Sequence, residues 1–97
     1  MYNRITKGVS EMYDYPLSPY WSTEEVILVM SLYNAVERAY EEGISKEEFM
    51  DCYRLYTSVV DSKSEQKQID DAFEKVSHYS IYKVFQKAKT DDWIDMR

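Results

Sequence analysis

Turn-forming residues are scarce in this chain, with two glycines and two prolines among 97 residues. That poverty excludes a fold of many short strands and favours long helices joined by short loops. There is one cysteine, Cys52, so no disulfide framework can form within the chain, and nothing calls for an oxidising compartment. There is one histidine, His78, and a His/Cys metal centre would need carboxylates to complete it. The longest apolar run, Val26 to Met30, falls far short of the ~18 residues of a membrane span. No apolar stretch at the N-terminus resembles a signal peptide. Glycine-rich phosphate loops, His-Glu-x-x-His and calcium-loop patterns are all missing. These absences point to a cytoplasmic protein without membrane, metal or cofactor.

What is present is an ordinary globular composition, 44% hydrophobic and 15% aromatic, with ten tyrosines. The formal charge is −6, which disfavours nucleic acid as a partner without excluding it. Residues 1–61 carry 5 basic and 11 acidic side chains, whereas residues 62–97 carry 7 of each. The acidity therefore belongs to the first half.

Residues 1–12 have no helical period and read as a disordered leader or as translated sequence ahead of a true start at Met12. The second alternative rests on Lys7-Gly8-Val9, whose codons can spell a purine-rich ribosome-binding sequence just upstream of Met12. Residues 13–89 read as one helical domain. Tyr13, Tyr15, Pro16, Leu17, Pro19, Tyr20 and Trp21 form an extended aromatic lead-in, because each proline disfavours helix at the residue before it, and its rings should cover one edge of the core.

Three stretches then share one grammar. Ser22-Thr23-Glu24-Glu25, Ser45-Lys46-Glu47-Glu48 and Ser62-Lys63-Ser64-Glu65 are capping boxes, each announcing a helix. In the first helix Val26, Val29, Tyr33, Val36 and Tyr40 make one stripe, and Leu28, Leu32, Ala35 and Ala39 a second beside it. Two adjacent stripes imply a central helix packed on more than one side. Gly43 supplies its left-handed stop. Phe49, Cys52, Tyr53, Tyr56, Val59 and Val60 share a face of the second helix, and the short connection makes the two antiparallel. The third helix has a thin apolar face, Ile69, Ala72, Phe73 and Val76, and should lie outside. A break at Ser77 to Ser80 leads to a fourth, with Ile81, Val84, Phe85 and Ala88 inward. Residues 90–97 read as a tail. The expected fold is all-α, a compact four-helix array around a central helix, with the aromatic lead-in at its N-terminal end.

The runs YPLSPYWSTEE from Tyr15, AVERAYEEGISKEEFM from Ala35 and FEKVSHYSIYK from Phe73 resemble uncharacterised protein family 0223, short proteins of Gram-positive bacteria. The resemblance covers about Tyr13 to Lys89. It implies an all-helical fold and carries no established activity. The chain departs from the family at His78, where relatives tend to have glycine, and by starting earlier than they do.

No catalytic constellation stands out. Cys52 and His78 are the only candidate nucleophile and base. Cys52 lies on an apolar face and has no adjacent cation to lower its pKa, and His78 lies at a helix junction. The more distinctive surface is a stretch free of acids between Glu74 and Asp91, where Lys75, Lys83, Lys87 and Lys89 alternate with Tyr79 and Tyr82. Aromatics interleaved with lysine suit an acidic protein partner, or nucleic acid. Tyr79, Tyr82, Lys83 and Lys87 are therefore the expected partner-binding residues. Trp93, Ile94 and Met96 in the acidic tail form a further candidate docking motif. The function this favours is a non-catalytic interaction module, monomeric or weakly homodimeric, ahead of a nucleic-acid accessory protein and of an enzyme using Cys52.

Overall fold

A computed structural model describes residues 15–97; the leader and Tyr13 lie outside the described residues. Four helices follow one another: α1 Thr23–Glu41, α2 Lys46–Val59, α3 Lys63–Ser77 and α4 Ile81–Ala88. Two short strands, β1 Ile44–Ser45 and β2 Trp93–Ile94, form an antiparallel pair with Ile44 opposite Ile94 and Ser45 opposite Trp93. The fold is all-α apart from this two-residue ladder.

Each helix starts at a serine whose side chain accepts the backbone N–H three residues on. These are Ser22 from Glu25, Ser45 from Glu48, Ser62 from Glu65 and Ser80 from Lys83. The box at Ser22 is reciprocal, because Glu25 also accepts the Ser22 N–H at 2.9 Å. At Ser45 the glutamate has another use, and Glu48 pairs with Arg38 of α1.

α1 is the centre of the fold. It buries Val29, Leu32, Tyr33, Ala35, Val36 and Ala39, drawn from both stripes. It packs along α2 and also meets α4. From α3, Phe73 stacks on Tyr33 at 4.6 Å between ring centroids and 13° between planes. Tyr15 of the lead-in meets both rings edge-on at 5.6 Å. Tyr33 is fully buried, and its hydroxyl donates to the Pro16 carbonyl at 2.6 Å. That bond satisfies a phenol that would otherwise be stranded, and burial raises its pKa far above the ordinary tyrosine value. The lead-in thus covers the core through Tyr15 and Trp21, whereas Tyr20 is 93% exposed.

α1 ends at Glu42, and Gly43 takes φ +99°. Both of their N–H groups reach the Arg38 carbonyl, at 2.8 and 2.6 Å. The break after α3 is real. His78 occupies the left-handed position (φ 69°, ψ 14°) and its N–H returns to the Glu74 carbonyl. This is a conformation glycine adopts freely and histidine only at a cost.

Three details differ from the sequence expectation. On α3 only Ile69 and Phe73 are buried, while Ala72 and Val76 face solvent. A helix on the outside meets the core along one narrow line, so its flanking apolar residues stay wet. On α2, Cys52, Tyr53 and Val59 are half-buried at the edge of the core, and Tyr53 also lines a cleft. The segment read as a tail carries β2 and packs on the body of the fold. Ile94 is fully buried and Met96 packs on the core. The Met96 N–H donates to the Ala39 carbonyl at 2.9 Å, and the Lys46 N–H donates to the Asp92 carbonyl at 2.7 Å. A strand of two residues has no period to read, and its partner β1 lies about fifty residues earlier in the chain.

Candidate interaction site

A cleft of about 390 Å³ opens between α2, α3 and α4. Its α2 wall is Tyr53 and Tyr56, one turn apart. Its α4 wall is Ile81, Tyr82 and Phe85, and its α3 rim carries Lys63, Gln66, Lys67 and Asp70. The rings are already assembled. Tyr53 stacks on Phe85 at 4.5 Å and 20°, and meets Tyr56 at 5.9 Å. Lys89 sits 5.0 Å above the Phe85 ring, a cation–π contact. Gln66 is held by donating to the Val60 carbonyl at 2.8 Å. Tyr82 is 59% exposed on the lip.

Asp70 organises the α4 side. One carboxylate oxygen accepts the Ile81 N–H at 2.9 Å, and the Tyr82 N–H also points to this group. The other donors at the start of α4 also have partners. The Ser80 N–H goes to the Tyr40 hydroxyl, that of Ile81 to Asp70, that of Lys83 to the Ser80 hydroxyl and that of Val84 to the Ser80 carbonyl. Lys83 stands where a capping box would place its acid, and Asp70 supplies that negative charge from α3 instead. Burial raises the Asp70 pKa, and the two backbone donors oppose the rise. Burial, with Asp70 adding to it, likewise raises the Tyr53 phenol.

The four expected binding residues do not form one face. Tyr79 lies against α1, stacked on Tyr40 at 4.4 Å and 8°. Its hydroxyl donates to Glu41 at 2.8 Å, a bond that pushes its pKa up to about 12. Tyr82 and Phe85 turn toward the cleft. Lys83 and Lys87 sit roughly 100–140° further round α4, and Lys87 is paired with Asp91 at 3.1 Å. Of the expected set, only Tyr82 reaches the cleft. Sequence reasoning missed Tyr53, Tyr56 and Asp70 as site residues. The available signal was the excess of rings on α2, which outnumber what one core face can bury.

Cys52 is half-buried, and burial followed by Glu48 and Asp51 raises its pKa, so the reactive thiolate is disfavoured. His78 is exposed and serves as the left-handed cap. Among the described residues no group of three His, Cys, Asp or Glu could hold a metal ion, and no helix is long and apolar enough to cross a membrane.

A sequence model of the uncharacterised protein family UPF0223 matches residues 12–95. The chain belongs to this family. A UPF0223 protein of Bacillus cytotoxicus is 54% identical over 77 residues, 79% of this chain and 86% of the relative. One of Listeria monocytogenes is 51% identical over the same shares. One of Streptococcus uberis is 46% identical over 81 residues, covering 84% and 88%. The family match runs through the docked C-terminal strand, so that segment belongs to the family's domain. The family is uncharacterised, and none of these relatives carries a named activity.

Proposed function

We propose that this protein is a non-catalytic, cytoplasmic interaction module that docks a protein partner in the cleft between α2, α3 and α4. The observation that carries the reading is Tyr82, a large ring left 59% exposed on the lip of a cleft already floored with aromatic side chains. Aromatic rings at a partly dry, preformed surface are the usual anchors of protein recognition. The raised pKa of Cys52 argues against thiol chemistry. The lone cysteine is in keeping with a reducing compartment. In this reading the protein is a monomer or a weak homodimer. Nucleic acid is the weaker alternative, since Lys87 is engaged by Asp91 and the formal charge is −6.

A photo-crosslinking residue placed at position 82 in living cells tests the reading. Position 27 is the control, because Ile27 is 58% exposed on α1. Discrete protein adducts are expected from position 82 and not from position 27. Identical products from both positions, or none from position 82, would remove the cleft as the docking surface.

A further inference from the structure

We infer that the cleft takes a short acidic peptide segment bearing one aromatic or large aliphatic anchor. The inference rests on the docking reading above and adds the chemistry of the partner. The floor is apolar and preformed, because Tyr53 is held between Phe85 and Tyr56. A volume of about 390 Å³ accommodates one large side chain and its neighbours, not a whole helix. The rim is cationic at two points, Lys63 and Lys67, one turn apart on α3. Lys67 is held only by an exposed 3.5 Å pair with Asp71. In a chain of formal charge −6 such a rim is a local exception, and charge complementarity selects an acidic partner there.

Asp70 decides where the acids of that partner sit. It lines the cleft, and its carboxylate already receives the amide of Ile81. A ligand carboxylate is repelled from that position and drawn to the lysine rim, while an apolar anchor enters beside Tyr82. The expected pattern is therefore an apolar anchor with its acids on the α3 side. A nucleic-acid strand fits less well, since Asp70, Asp71 and Glu74 share α3 with the lysines and interrupt any cationic track.

The test is selection of a displayed library of random short peptides against the full chain, followed by binding of the synthesised consensus peptide. Variants are Tyr82→Ala, and Lys63→Glu combined with Lys67→Gln, each checked for native helix content. Lys67 is neutralised and not reversed because Asp71 lies beside it. The expected consensus is an aromatic or large aliphatic residue with Asp or Glu to one side of it. Tyr82→Ala should weaken the peptide about thirtyfold, and the lysine variant about tenfold at low salt and less at high salt. Peptides that need Tyr82 but lack acids, or ignore the lysines, would overturn the acidic partner and leave the docking cleft standing. No Tyr82-dependent peptide at all would overturn both. Tyr82-dependent retention of a mixed-sequence single-stranded RNA in place of any peptide would also overturn both, in favour of nucleic acid.

Discussion

Replacing Gly43 by alanine tests the junction on which the docked C-terminal strand depends. Two penalties are built into the position. The backbone has φ +99°, which costs an L-residue about 1–2 kcal/mol or more. The new Cβ would also lie 2.7–2.8 Å from three atoms of the Trp93 indole. Ordinary van der Waals contact begins near 3.4 Å, so the ring must move by about 0.7 Å or swing away. Trp93 is 57% exposed, which allows it to swing. The loss is then the apolar contact of its covered part, about 1 kcal/mol. The sum is about 2–3 kcal/mol. For a domain of this size that lowers the melting temperature by roughly 10–20 °C, measured by far-UV circular dichroism. Trp93 emission in a Trp21→Phe background should shift toward that of exposed indole. A double-mutant cycle with Trp93→Ala should show the two changes costing about 1 kcal/mol less together than their sum. If Gly43→Ala melts within about 2 °C of the wild type, both the strain and the crowding are refuted. A coupling of zero would refute the crowding alone.

Other perturbations probe the core and the cleft. Phe73→Ala removes the ring that stacks on Tyr33 and meets Tyr15 edge-on, and should cost about 3–5 kcal/mol in denaturant unfolding; a cost below about 1 kcal/mol would mean that the stack is not the heart of the core. His78→Gly should stabilise by about 0.5–1 kcal/mol, the relief of left-handed strain less the entropy of glycine, and a lower midpoint would contradict that. Asp70→Ala strands the Ile81 amide and should cost about 1–3 kcal/mol at neutral pH. Because burial raises the Asp70 pKa, its carboxyl favours the folded state most when protonated, and that contribution declines as pH rises through the folded-state value. The stability of the wild type relative to Asp70→Asn should therefore fall as pH rises from the ordinary aspartate range through the raised folded-state value. A difference that is flat or rising over that range would show that the backbone donors outweigh burial.

Much of the architecture was legible because its causes are local. A serine followed three residues later by glutamate satisfies free amides within one turn, so Ser22, Ser45 and Ser62 each announced a helix. The double stripe of α1 marked it as central, since only a helix with neighbours on two sides can bury both. The start of α4 was harder to place. Its N-cap Ser80 has Lys83 where the acid would be, and the missing charge comes from Asp70, ten residues before that cap. The expected binding residues failed to share one face for a related reason. Spacing placed Tyr79, Tyr82, Lys83 and Lys87 in one stretch, but Tyr79 belongs to the loop that packs on Tyr40.

Local chemistry along the chain thus settled the helices, their caps, the central position of α1 and the membership of the family. The tertiary structure alone decided where the chain touches itself at long range. Ile44 meets Ile94 across a two-residue ladder, Tyr53 meets Phe85 across the cleft, and Asp70 meets the amides of α4. Such contacts leave no periodic trace, because a single pair of residues far apart in the chain repeats nothing. They arise only when packed helices bring the two together. The cleft is a product of that packing, which is why its residues could not be read as a set until the helices were in place.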